Sequence, residues 1–96
     1  MYLVFEWDPG KDQANREKHR VTFAEAASVF GDPLARIFAD EGHSGDEQRE
    51  IIIGNSQAKR MLLVCFIEPE EDRVRIISAR RATRREQHDY EEHITS

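Results

Sequence analysis

Apolar and polar positions along the chain change period several times, and each change marks an element. Residues 2–6 (Tyr-Leu-Val-Phe-Glu) are aromatic and β-branched, which predicts a strand ended by Asp8-Pro9-Gly10. Residues 11–19 contain good helix formers, with Ala14 almost the only apolar one. A helix this polar gains little from burial, so something other than a hydrophobic stripe must account for its face. Lys11, Asn15 and Lys18 fall on one side of it, with His19 adjacent. The next segment is the clearest. Thr22 and Glu25 form an S/T-x-x-E capping box, Phe23, Ala26, Ala27 and Phe30 make an apolar stripe, Gly31 supplies a stop and Pro33 follows.

Beyond this hairpin the period shortens to that of strands. Residues 34–40 predict a strand and 41–46 a glycine-containing loop. Residues 47–54 alternate charge into Ile51-Ile52-Ile53, and Asn55-Ser56 is a turn. Residues 61–67 are apolar on both faces, as in a central strand. Residues 69–72 turn the chain into a further strand at 73–80. Thr83 and Glu86 then form a second capping box, opening a helix that reaches about residue 93. The order β-α-α-β-β-β-β-α, with short turns between consecutive strands, predicts an α+β fold: an antiparallel meander sheet of four or five strands, a helical hairpin on one face and a C-terminal helix.

Length and composition narrow the class. Ninety-six residues are the size of one domain, taken as residues 1–96. The lone Cys65 sits among Leu62, Leu63, Val64, Phe66 and Ile67 and reads as a packed small hydrophobe in a reducing compartment. No apolar run is long enough for a membrane helix, and residues 1–6 lack a basic leader, so the expected location is cytoplasmic. Net charge is −5, which disfavours indiscriminate polyanion binding. Its distribution changes the picture: Arg73, Arg75, Arg80, Arg81, Arg84 and Arg85 crowd one short segment, between acids at 68–72 and 86–92. That asymmetry fits a basic spot on an acidic body, or a salt-bridged surface.

Two blocks carry a family resemblance. Phe5-x-Trp7-Asp8-x3-Asp12-x2-Asn15-x2-Lys18-His19-x-Val21-x-Phe23-x-Glu25-Ala26-x2-Val29-Phe30-x-Asp32 resembles the opening signature of the BrnT family. Glu47-x-Arg49, Leu62-Leu63-Val64 and Arg75-Ile76-Ile77-Ser78-Ala79-Arg80-Arg81-Ala82 resemble its later blocks, so that the likeness runs from Phe5 to Tyr90. The resemblance implies a RelE-like fold and a ribonuclease toxin that cleaves RNA without a metal and inhibits growth. It also implies a BrnA-type antitoxin with a ribbon-helix-helix part, a two-to-two complex, and operator DNA bound only through that antitoxin. One departure stands out: Arg20 follows the Lys-His pair where family members often have glycine, and a non-glycine residue in a left-handed cap costs about 1–2 kcal/mol, so the turn between the helices is expected to differ.

Metal-free RNA cleavage needs a base for the 2′-OH proton, an acid for the departing 5′ oxygen, and cations for the phosphorane. Arginine suits the last role because its planar fork binds two phosphate oxygens and stays charged. In an unbroken strand Val74, Ile76, Ser78 and Arg80 share a face, with Arg81 on the other; Glu47, Arg49, Ile51 and Ile53 repeat the pattern. On this reading Arg80 and Arg49 clamp the scissile phosphate and Glu47 or His19 moves the proton. Lys11, Lys18 and Arg81 face phosphates, and Trp7 can stack a base.

Plainer readings stand beside these. Glu47–Arg49 is an edge ion pair, Arg80 binds Glu86 or Asp89, and His19 caps a helix dipole. Lys11, Asn15 and Lys18 form a solvated face, and Trp7 is a core or lid aromatic. His88 with His93, and His43 with Glu47, lack metal-site spacing, so no metal or other cofactor is expected. The alternative function is a catalytically silent module that binds the antitoxin and acts only in operon autoregulation. A nucleic-acid-binding protein acting alone fits the acidic composition poorly.

Overall fold

The computed structural model describes residues 2–40 and 48–95. Five strands, β1 (Val4–Glu6), β2 (Arg36–Ala39), β3 (Glu50–Asn55), β4 (Met61–Glu70) and β5 (Arg73–Arg81), accompany three helices, α1 (Pro9–His19), α2 (Phe23–Ser28) and α3 (Arg84–Thr95). The chain order is the expected β-α-α-β-β-β-β-α. The sheet runs β1-β5-β4-β3-β2. Strands β2 to β5 form the expected antiparallel meander, but β1 pairs parallel with β5, with Val4 opposite Arg73 and Glu6 opposite Arg75. The sheet is therefore mixed rather than purely antiparallel. The helical hairpin carries the chain across one face, so β1 and β2 end on opposite edges and β1 joins the last strand instead of its sequence neighbour.

Asp8 starts α1 by accepting from the Gly10 amide at 2.7 Å, with Pro9 at the first helical position. Hydrogen bonds, not an apolar stripe, hold the polar helix down. The Asn15 amide donates to Val21 O (2.9 Å) and Ala79 O (2.8 Å), and its carbonyl accepts from Ala79 N at 3.1 Å. Asn15 is thus buried rather than part of a solvated face with Lys11 and Lys18. Asp12 accepts from Phe23 N at 2.9 Å and so helps cap α2. Arg20 ends α1 in the left-handed region, φ 60°, its amide donating to Arg16 O; the cap is left-handed although its residue is not glycine, so the turn does not change on that account.

Thr22 caps α2 through Glu25 N at 3.0 Å. The Glu25 carboxylate does not complete that box; it accepts from Ser56 and pairs with Arg60. Nor does Gly31 stop the helix with a left-handed turn, since no glycine has positive φ among the described residues. Instead α2 tightens into a 3-10 turn over Val29–Gly31, and Asp32 closes it. Gly54 is required by close approach: a Cβ there would lie 2.8 Å from Ala35 Cβ and 2.9 Å from an Asp32 oxygen.

The main core lies between the hairpin and the sheet, built from Val21, Phe23, Ala26 and Val29 against Ile52, Leu62, Val64, Phe66, Val74, Ile76 and Ala79. Ile76 and Ala79 are three apart, which period-two alternation forbids on one face. A bulge resolves this. Phe66 pairs Ile76 while Cys65 pairs Ser78, leaving Ile77 as the extra residue. Ser78 and Arg80 therefore face away from Val74 and Ile76, correcting the shared face that an unbroken strand would give them. On that second face α3 packs through a smaller cluster of Ile53, Ala82, Tyr90 and Met61.

Candidate functional site

The second face of the sheet is only partly covered by α3, and the rest is a groove of about 540 Å³. Two cross-strand rows make its floor. Arg36, Ile53, Leu63 and Arg80 stand side by side on β2, β3, β4 and β5, and Phe38, Ile51, Cys65 and Ser78 form the next row. Glu86, Asp89 and Tyr90 of α3 supply one wall. The result is an apolar floor with an arginine at each end of one row.

Arg80 is held in a defined direction. Its Nη1 and Nη2 donate to the two Glu86 oxygens at 2.9 and 2.8 Å, and Nη1 also donates to Arg81 O at 3.2 Å. Glu86 in turn accepts from Thr83 N (2.7 Å), and Thr83 Oγ1 accepts from Glu86 N (3.2 Å). The second capping box is thus complete and doubles as the seat of the arginine. Arg80, followed by the Thr83 amide, pulls the Glu86 carboxyl down to about 2 against the opposing effect of burial. The same pair raises Arg80 above the usual arginine range. Farther along, Tyr90 Oη donates to Asp32 Oδ2 at 2.9 Å. Burial would raise the Asp32 carboxyl, but the Asn55 and Leu34 amides and Tyr90 outweigh it and keep it low.

The structure divides the residues singled out from the sequence into two sets. Arg80 is in the groove. Arg49 directly precedes β3, its carbonyl accepting from Asp40 N at 2.9 Å; alternation puts it on the face of Ile51 and Ile53. It stands four residues from the Arg80 row, about 13 Å along the sheet, outside the residues that line the groove. Glu47 lies outside the described residues. His19, Lys11 and Lys18 belong to α1 and lie on the other side of the sheet, His19 half-buried and both lysines exposed. Arg81 also points to that side, opposite Arg80 as expected, but the bulge puts it on the face of Val74 and Ile76 rather than away from it; there its charge acts on Glu25. Trp7 is half-buried and meets Phe23 edge-to-face at 6.2 Å, the core aromatic of the plainer reading. The plainer reading of Arg80, pairing with Glu86, is also present.

Arg36 and Tyr90 were not singled out by sequence reasoning. Arg36-x-Phe38 carries the same charge-then-apolar alternation as Arg49-x-Ile51, and that was the available signal. Elsewhere in the arginine segment, Arg75 pairs with Glu6 at 2.6 Å and Arg73 with the same carboxylate at 3.6 Å. Among the described residues no three His, Cys, Asp or Glu side chains gather into a metal-binding group.

A helical hairpin sealed to one face of a mixed sheet, and an arginine-ended apolar groove on the other, define a small α+β protein with one closed and one open sheet face. The family model described as "Ribonuclease toxin, BrnT, of type II toxin-antitoxin system" matches residues 7–86, and the chain belongs to that family. Among solved structures it is similar to the Brucella abortus ribonuclease toxin BrnT. That likeness has a TM-score of 0.63 and 24% identity over 88% of this chain and 99% of the other. No curated protein sequence matches the chain.

Proposed function

We propose that this chain is a metal-independent endoribonuclease acting at the open-face groove, and that a BrnA-type ribbon-helix-helix antitoxin neutralises it in a two-to-two complex in the cytoplasm. The observation that carries this reading is the bulge at Ile77, which turns Arg80 out of the core face into the groove, where Glu86 orients it. The substrate's own 2′-oxygen attacks the phosphorus, the bond to the 5′ oxygen breaks, and a cyclic phosphate and a 5′-hydroxyl leave. Arg80 stabilises the charge gained by the nonbridging oxygens, with Arg36 and Arg49 holding neighbouring phosphates. The apolar floor and Phe38 receive the bases. Glu86 is too acidic to carry a proton near neutrality and serves as the counter-charge that positions Arg80. The 2′-OH proton goes to Glu47 or to Asp89, which lines the groove, and the departing 5′ oxygen takes its proton from water. His19 is on the opposite side of the sheet and takes no part in that transfer.

The partner-free protein is expected to cut RNA in EDTA; intact RNA after prolonged incubation with folded protein contradicts the reading. The second reading, a silent module acting only in operon autoregulation, draws on the occupation of Arg80's donors by Glu86. Expression without the antitoxin separates the two: a nuclease arrests growth, whereas a silent module leaves it unaffected.

A further inference from the structure

The topology sorts charge toward opposite ends of β4. This ten-residue strand spans about 33 Å. At its far end the hairpin carries Glu68, Glu70, Glu71 and Asp72, beside Arg73. At its near end several segments converge. Ala82 N donates to Met61 O at 2.9 Å, Arg81 pairs with Leu62, and Arg60 Nη2 donates to Arg20 O at 3.1 Å. Arg16, Arg20, Lys59, Arg81, Arg84 and Arg85 therefore surround one end of the sheet, all exposed and without an ion pair among the described residues. Two acids at this end, Glu25 and Glu86, are already neutralised by Arg60 and Arg80; Glu17 sits beside Arg16 and Arg20. The acidic hairpin is several screening lengths away at physiological salt, about 8 Å each, so it does not cancel this field.

Local stability explains only part of this cluster: Arg16 and Arg20 stand at the C-terminal end of α1, where positive charge complements the helix dipole. Arg20 and Lys59 hold left-handed backbone, φ 60° and 62°, where glycine costs less. Arg84 and Arg85 occupy the first turn of α3, where positive charge opposes the helix dipole. Asp72 at the acidic end shares that backbone geometry, so the charge of Arg84 and Arg85 is what works against its own element, on the same surface as the other exposed cations.

We propose that this end of the molecule is a track for the RNA backbone. Resting on the ribonuclease reading, it defines the substrate as single-stranded RNA that continues past the Arg80 phosphate. The flanking phosphates pass over the sheet end along Arg81, Arg84 and Arg85 to the Arg16–Arg20 side. Backbone contacts of this kind are sequence-tolerant and strongly salt-dependent.

The test compares cleavage of a trinucleotide with that of an RNA of roughly 20 nucleotides, by the wild type and by a variant carrying Arg16→Gln, Lys59→Gln, Arg84→Gln and Arg85→Gln, its fold checked by circular dichroism. The variant's long-to-short ratio of kcat/KM is expected to fall tenfold or more. Its salt slope on the long RNA should become shallower by about 0.7 for each phosphate that is no longer neutralised. An unchanged ratio with an active wild type overturns the track and leaves the nuclease reading intact. A wild type that cuts neither RNA overturns both. A variant that keeps its ratio but no longer binds the antitoxin assigns this surface to a protein partner and also overturns the proposal.

Discussion

The two faces of this sheet belong to the same five strands, yet they differ in what satisfies them. On the hairpin face the apolar residues are sealed, with Val21, Phe23, Leu62 and Val64 fully buried, and the one deeply buried polar side chain of α1, Asn15, has partners for both ends of its amide. On the open face the apolar floor remains accessible, Phe38 is 48% exposed, and charged groups stand at its margins. Arg80 and Arg81 express the contrast in adjacent residues. The bulge at Ile77 decides which goes where, because one extra residue exchanges the faces of everything after it. Stability therefore resides chiefly on one face and the candidate chemistry on the other, so substitutions on the two faces should separate folding from activity.

The largest stability effect belongs to the sealed face. Asn15→Leu removes three buried hydrogen bonds and leaves both backbone groups of Ala79 without their partner. It is expected to cost about 3 kcal/mol or more in a urea melt, and a loss below about 1 kcal/mol would mean that α1 is held some other way. A smaller effect comes from the junction of the faces. The Glu86 carboxyl lies near 2 in the folded state against an ordinary 4.5. Its contribution is thus complete above about pH 5 and fades as pH falls through the folded value. Glu86→Gln should lose about 1–2 kcal/mol at neutral pH after allowance for solvent screening, and its stability should vary less between pH 5 and 2 than that of the wild type. Parallel pH profiles would remove the pair from the account. The smallest effect has the opposite sign: Arg20→Gly relieves the left-handed cap and should stabilise by up to about 1 kcal/mol, read as a raised Tm.

Much of the fold was legible because its signals are local. The Thr22 cap, the capping box at Thr83 and the apolar run at 61–67 each act within a few residues, and the element order followed from them. Three features were set by contacts distant in sequence. The parallel pairing of β1 depends on where the hairpin delivers the chain. The burial of Asn15 depends on Ala79, 64 residues away. The bulge at Ile77 leaves no mark in a run that alternates acceptably either way. The site was correspondingly half legible: Arg80 and its partner Glu86 were readable from spacing and charge, whereas the side to which Arg80 points, and the separation of His19, Lys11 and Lys18 from it, required the register.

The most direct measurement exploits the adjacent arginines. In metal-chelated RNA cleavage, Arg80→Ala is expected to lose at least a hundredfold in kcat, the scale of removing one transition-state donor. Arg81→Ala, which uncovers only a flanking phosphate, should lose several-fold at most, with both variants folded. Equal losses in the two variants, or a greater loss for Arg81→Ala, would contradict a cleavage site on the open face.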